Sequence, residues 1–266
     1  MSYQEILFRV ENRVAYLTMN RPDALNAFGV PMAVEILDAL ARAEQDPAVR
    51  CLVMAGAGRA FCGGGDVKGF QEHLGRGTAA AHIKDLTMYM HRAVSAVARM
   101  PKTAIAAVQG FAAGGGVGFA LCCDLVIAAE GTRFDMAYAR IGASPDGGST
   151  YFLPRGVGVR KALELALLGG TIDAQEALQR GLINRVVPPG ELAGAAREWA
   201  ERQARGPAVA QAHAKRLMYQ SLHETLETQM EAEAVGIADC ARTPDFSEGV
   251  TAFVEKRPPV FGALRP

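Results

Sequence analysis

The pattern of apolar positions starts with a period of two and then shifts to a period near 3.6. Apolar residues alternate loosely through Ile6 to Val10 and Arg13 to Met19, which predicts two strands joined as a hairpin around Glu11-Asn12. Pro31 to Gln45 carries apolar residues at Met32, Val34, Ile36, Leu37 and Leu40, a helical spacing that ends at Asp46-Pro47. The run Val49 to Met54 predicts a buried strand. Gly69 to Thr78 holds three glycines and is expected as a mobile loop, after which Ala81 to Arg99 regains helical spacing before Pro101. Thr103 to Gln109 and Leu125 to Ala129 predict further strands. Asp173-Ala174-Gln175-Glu176 has the form of a capping box, with Asp173 at the N-cap and Gly181 ending the helix. Ile183 to Val187 predicts a last short strand. Pro188-Pro189-Gly190 then marks a boundary, beyond which the chain is polar, alanine-rich and helical. The expected organisation is a mixed α/β core over residues 1–190 and a helical carboxy-terminal region over 191–266. The early hairpin argues against a regular barrel.

At 266 residues the chain is long enough for one large core with a small appendage. Half of the residues are apolar, and 28 basic residues balance 28 acidic ones with no block of either sign. That balance excludes the basic footprint of a nucleic-acid surface. Five cysteines without paired spacing fit free thiols in a reducing cytoplasm. Met1-Ser2-Tyr3-Gln4-Glu5 lacks the basic and apolar regions of a signal peptide. Ala112 to Ala129 is apolar but contains Asp124 and four glycines, so strand, turn, helix and strand are expected there rather than a membrane span. His73, His82 and His91 recur every nine residues. On one helix that spacing puts successive members on opposite sides, so no metal site is expected.

Two glycine-rich stretches carry the candidate chemistry. Gly58-Arg59-Ala60-Phe61-Cys62-Gly63-Gly64-Gly65-Asp66 follows the apolar run Cys51 to Met54, and Gly110-Phe111-Ala112-Ala113-Gly114-Gly115-Gly116-Val117-Gly118 follows Ala104 to Val108. Neither fits a dinucleotide fingerprint, because Phe119 stands where the third glycine belongs, and the chain has no phosphate-loop Gly-Lys-Ser/Thr. Glycine leaves peptide N–H groups uncovered and lets a ligand approach the backbone. Two such groups aimed at one point from two loops make an oxyanion hole. Tight turns packed for steric reasons are the alternative.

Taken in order, five motifs resemble the crotonase (enoyl-CoA hydratase/isomerase) superfamily over nearly the whole chain. They are Asn20-Arg21-Pro22-Asp23-Ala24-Leu25-Asn26-Ala27, Ala60 to Val67, Gly110 to Asp124, Ile141-Gly142 through Pro145-Asp146-Gly147-Gly148, and Leu153-Pro154-Arg155. The resemblance implies an α/β spiral of ββα repeats with a helical carboxy-terminal trimerisation region, assembled as a homotrimer or a homohexamer. It implies an acyl-CoA thioester substrate, with coenzyme A as part of that substrate and no separate cofactor. The thioester carbonyl would lie between the N–H groups of Gly65 and Gly115. Arg21, Ala24, Leu25, Gly63, Asp66 and Val67 would hold the coenzyme A portion, and Lys256 would reach its phosphates. An ordinary solvated helix charge is the alternative for Lys256.

The sequence also departs from that family. Hydration uses two glutamates, and the matching positions here are Gly118 and Tyr138. Glycine has no side chain to act with, and a phenol with a pKa of about 10 is a poor base at neutral pH. Asp146 stands where several isomerases of the superfamily carry their acid, which makes it the candidate catalytic residue. A helix N-cap is its alternative role. A single carboxylate suffices for a 1,3-proton shift, so a Δ3,Δ2-enoyl-CoA isomerase is the leading expectation. Enoyl-CoA hydration, ring-epoxide isomerisation of the epoxyphenylacetyl-CoA type, and non-catalytic acyl-CoA binding are the rivals.

Overall fold

The computed structural model describes residues 3–262. Met1 and Ser2, where the amino-terminal stretch considered above begins, and the end of the 191–266 region lie outside the described residues. Chain order gives β1 (Ile6–Glu11), β2 (Val14–Met19), α1 (Val30–Gln45), β3 (Cys51–Gly56), α2 (Val67–Gly75), α3 (Ala79–Arg99), β4 (Thr103–Val108), β5 (Phe111–Ala113), α4 (Gly115–Leu121), β6 (Leu125–Ala129) and β7 (Arg133–Asp135). It continues with α5 (Ser149–Val157), α6 (Val159–Leu168), β8 (Thr171–Asp173), α7 (Ala174–Gln179), β9 (Arg185–Val187), α8 (Leu192–Ala204), α9 (Ala208–Gln220), α10 (Leu226–Ala241) and α11 (Pro244–Glu255).

The strands form two sheets. A six-stranded sheet runs β1-β2-β3-β4-β6-β9, antiparallel only at the β1–β2 hairpin, and a smaller sheet runs β5-β7-β8. Successive turns of the chain add one strand to the large sheet and a shorter one to the small sheet. A parallel bridge from Cys62 to Ala112 extends the small sheet back to the segment after β3. The result is a spiral of ββα units.

Strand alternation sorts the core into two layers. Ala15, Leu17, Leu52, Met54, Ala104, Ala106 and Val126 face one side with α1, α3 and α4 residues. Val14, Tyr16, Cys51, Val53, Ile105, Ala107 and Ile127 face the other, where α8 covers them. The α8 residues in that layer include Ala195, Ala196, Ala200 and Ala204. Small side chains on one helix face bring that helix close to the sheet. All five cysteines are free and buried.

Three local expectations change. Asn12 and Arg13 both take positive φ, 50° and 65°, so the hairpin closes one residue later than predicted, in the conformation that matches strand twist. Gly69 to Thr78 is largely helix, because the Asp66 carboxylate accepts the Gly69 N–H at 3.3 Å and caps α2. His73 and His82 therefore sit on different helices, and their rings stack at 3.8 Å. Asp173 caps α7 as expected, accepting the Glu176 N–H at 2.8 Å. No helix of the described residues is long and apolar enough to cross a membrane.

One buried ion pair joins the carboxy-terminal helices to this core. Lys215 on α9 donates to Val97 O at 2.8 Å and Lys102 O at 3.2 Å, and lies 2.9 Å from Asp124 Oδ2. The Ala104 N–H donates to the same Asp124 oxygen at 2.8 Å. Burial pushes the Asp124 carboxyl above its usual range, and Lys215 only partly offsets it. Removing one partner of such a pair leaves the other charge uncompensated, which typically costs about 3 kcal/mol or more. Lys215→Met is expected to lower stability by that amount in urea unfolding, and adding Asp124→Leu is expected to recover much of the loss.

Candidate active site

Asn26 organises the first glycine loop from within the core. Its side chain is fully buried. It accepts the Arg21 N–H at 2.9 Å and donates to Ala57 O at 2.9 Å, Ala60 O at 2.8 Å and Phe61 O at 3.3 Å. Gly63 N–H then donates to Leu25 O at 2.8 Å, Phe28 N–H to Gly64 O at 2.7 Å, and Asp66 N–H to Phe28 O at 2.9 Å. A trans peptide points its C=O and N–H in opposite directions. Since Gly64 C=O faces Phe28, the Gly65 N–H faces away from it.

The second loop is held against the first. Ala113 N–H donates to Cys62 O and Gly114 N–H to Asp135 O, each at 2.9 Å. Gly114 has φ 50° and ψ −126°, a conformation reserved for glycine. Gly115 is the first residue of α4, so its N–H has no partner within the helix. Among the described residues, neither Gly65 N–H nor Gly115 N–H donates to a protein acceptor. The loops touch: a Cβ on Gly64 would sit 2.8 Å from Ala113 O, and one on Gly116 would sit 2.5 Å from Cys62 O. The Cys62 thiol beneath them is pushed up to about 12 by burial, which rules it out as a thiolate nucleophile.

Asp146 lies beside this pair. A Cβ on Gly115 would be 3.4 Å from Asp146 Oδ1. Tyr138 donates its hydroxyl to Oδ1 at 2.8 Å, and Thr87 donates to Oδ2 at 3.3 Å. The Asp146 side chain does not cap α5. The cap residue is Gly148 at φ 76°, and only the Asp146 backbone carbonyl accepts there, from Ser149 N–H at 3.0 Å. Burial, and then the Asp146 charge, push the Tyr138 phenol above its ordinary value. Tyr138 is therefore a hydrogen-bond donor and not a base. Gly118 is bare for a steric reason: a Cβ there would collide with the Gly147 carbonyl and lie 2.9 Å from Ser149 N. Asp135, the other nearby carboxylate, is spent on Arg140, with two contacts of 2.8 Å.

A cavity of about 790 Å³ joins these groups. Gly63, Gly65, Gly115, Tyr138, Thr87 and Asp146 line one end, and Val67, Leu74, Ile83 and Leu86 line an apolar wall. Arg21 is tied to Asp66 Oδ2 at 2.9 Å and to Ala27 O at 2.8 Å. Partial burial raises the Asp66 carboxyl, but Arg21 and the backbone amides outweigh it and hold the carboxyl below its usual range. Ala24 lies in the turn Pro22–Ala24, and Leu25 follows at φ 51°. Arg21, Ala24, Leu25 and Asp66 do not line the cavity. Lys256 ends α11 at φ 58°, exposed and outside the cavity lining.

The family model described as enoyl-CoA hydratase/isomerase matches residues 9–263. The chain belongs to the enoyl-CoA hydratase/isomerase family. A Rhodobacter capsulatus protein named probable enoyl-CoA hydratase is 38% identical over 265 residues, 98% of this chain and 99% of its own. The 1,2-epoxyphenylacetyl-CoA isomerase of Escherichia coli K12 is also 38% identical, over 256 residues, covering 96% of this chain and 97% of that protein. The crystal structure of an enoyl-CoA hydratase from Polaromonas sp. JS666 superposes with a TM-score of 0.91 at 33% identity, covering 96% of this chain and 98% of that one. The fold is the crotonase spiral, with a helical carboxy-terminal region.

Within that family frame, two polar residues of α3 escaped the sequence. Thr87 and His91 touch the Asp146-Gly147 segment, His91 by accepting the Gly147 N–H at 3.2 Å. Their four-residue spacing on an amphipathic helix was the available signal. Met90 on the same helix lines the cavity, whereas Met88 is half-exposed and does not.

The upward shift of Tyr138 has a direct spectroscopic consequence. Raising a phenol's pKa delays its ionisation, so Tyr138 stays neutral through the range in which a free tyrosine loses its proton, about pH 10. In an alkaline absorbance titration to about pH 11, native protein and Tyr138→Phe are expected to show equal phenolate signal. A native-only transition near pH 10 would contradict the geometry.

Proposed function

We propose that this protein is a Δ3,Δ2-enoyl-CoA isomerase that uses Asp146 as its single acid/base. The observation that carries this reading is the cavity's inventory: Asp146 is the one carboxylate among its lining residues, and it stands beside the Gly65 and Gly115 amides. The thioester carbonyl oxygen accepts from those two N–H groups. Asp146 removes a proton from C2 of a 3-enoyl-CoA, and the electron pair moves into the carbonyl as an enolate. The same carboxyl then returns the proton at C4, leaving the double bond between C2 and C3. Each oxyanion donor is worth roughly 3 kcal/mol in the transition state.

The two hydrogen bonds on Asp146, from Tyr138 and Thr87, suit the first step by fixing the carboxylate's orientation. The apolar wall suits the second by excluding water that would add to the double bond. Arg21, Ala24, Leu25, Gly63, Asp66 and Val67 would frame the coenzyme A path, and Lys256 would approach its phosphates. Exposed apolar side chains on the last helices, including Met218, Ile237, Phe253 and Val254, support burial against further copies in a homotrimer or homohexamer.

A second reading is ring-epoxide isomerisation. It is favoured by the 38% identity to the E. coli isomerase and by a cavity large enough for a cyclic acyl group.

Asp146→Asn is expected to lower turnover of a 3-enoyl-CoA to the 2-enoyl isomer by a factor of 10² to 10⁴, on the order of a lost acid/base group. Full activity in that variant would remove Asp146 from the mechanism. Installing the missing hydratase carboxylate is also expected to fail. Gly118→Glu should lower the urea midpoint and confer no loss of enoyl absorbance with crotonyl-CoA, because Gly147 occupies the space its Cβ needs.

A further inference from the structure

Four residues of α3 grip the segment that carries Asp146. Thr87, Met90, His91 and Val94 share one helix face, at spacings of three, four and seven residues. Thr87 bonds Asp146 Oδ2, and the Gly147 N–H donates to His91 Nε2 at 3.2 Å. Met90 Cε lies 2.7 Å from where a Gly147 Cβ would sit, and Val94 Cγ1 lies 3.1 Å from where a Gly148 Cβ would sit. The gripped segment has little stiffness of its own, since Gly147 and Gly148 take φ of 60° and 76° in succession. Tyr138 and Ser149 hold Asp146 itself, α3 adds the contacts to Gly147 and Gly148, and the one titratable group in that grip is His91.

An imidazole nitrogen accepts a hydrogen bond only while it carries no proton. The bond from Gly147 therefore requires neutral His91 with its proton on Nδ1. Protonation turns Nε2 into a donor pointed at another donor, and the Gly147 amide loses its partner. We propose that His91 is a positioning residue for Asp146: its neutral ring anchors the neighbouring peptide and so fixes the carboxylate against the Gly65 and Gly115 amides. The sign follows directly. The anchor is present where His91 is neutral and is lost as pH falls. The titratable groups facing His91 from the packed 137–148 segment are Asp146 and Tyr138, which is bonded to it. On α3 itself the positions three and four away, Thr87, Met88, Val94 and Ser95, carry no charge. Among the described residues no hydrogen bond or ion pair joins His91 to a charged side chain of α1 or α2, the helices packed against α3.

The kinetic readout rests on the isomerase reading, whereas the ring's tautomer does not. Nitrogen NMR of the full-length protein with labelled histidine, at about pH 8, is expected to show Nε2 of His91 unprotonated and Nδ1 protonated. Assignment comes by difference against His91→Gln. The opposite tautomer would overturn the proposal. In the isomerisation assay, His91→Ala is expected to lower kcat by about two- to tenfold, the range of one lost hydrogen bond, with KM within twofold. His91→Gln, whose side-chain carbonyl also accepts, is expected to recover most of that loss. Unchanged kcat in His91→Ala, or no recovery in His91→Gln, would also overturn it. If wild type fails to move the double bond at all, the isomerase reading falls, and the spectrum alone decides the case of His91.

Discussion

The site depends on two stretches of backbone lying closer together than side chains allow. Gly64 packs on Ala113 and Gly116 on Cys62 at distances that a methyl group would violate. This contact brings the first turn of α4 beside the Gly65 peptide, so the two unpartnered amides open into one cavity. Glycine in such positions costs conformational entropy on folding. The structure offsets it locally, through backbone bonds from Leu25, Phe28, Cys62 and Asp135, and globally, through the buried Asn26 amide that secures the loop's base. The placement of these two amides is therefore a property of main-chain packing, and no side chain has to be kept in one rotamer to maintain it.

A second close approach limits which side chains the site can hold. The Gly147 carbonyl rests on Gly118, which excludes a side chain from that position of α4. The same segment places Asp146 beside Gly115, at the start of α4. Its backbone carbonyl satisfies Ser149, so its side chain is released from capping duty and turns to Tyr138 and Thr87. The loss of one acid and the placement of another thus have a common steric origin. Tyr138, at the position of the second absent glutamate, completes the arrangement as a donor whose burial keeps it protonated.

What the sequence disclosed, and what it hid, follows from the range of the forces involved. The sheet strands were legible because both faces are buried in alternate residues, as at Val14 against Ala15 and Ile105 against Ala106. The glycine loops were legible because a backbone conformation such as that of Gly114 leaves few other residues possible. Helix α2 was hidden because Gly69, Gly75 and Gly77 weigh against a helix, whereas the Asp66 cap and the spacing of Val67, Phe70 and Leu74 favour one. The orientation of Asp146 was hidden too. A cap and an acid have the same local sequence, and only the packing of α3 onto residues 146–148 distinguishes them.

The parts of the cavity differ in how firmly they are held. The Gly115 side belongs to α4, every residue of which is buried. The facing wall comes from α2, which contributes no buried residue, and from α3, where Ile83 is exposed but Leu86 and Met90 are buried. Few buried contacts mean a low local cost of displacement for α2. Phe70 links the two, its ring tip lying 2.6 Å from where a Gly65 Cβ would project. Substitutions along Val67, Leu74 and Ile83 can therefore reshape the acyl wall without moving the amides, except through Phe70. The relatives' names, a hydratase and an epoxide isomerase, differ in reaction at the same 38% identity to this chain. On the proposed isomerase reading, a loosely held wall beside a fixed pair of amides is a physical route to such variety, because the wall can change while the amides stay in place.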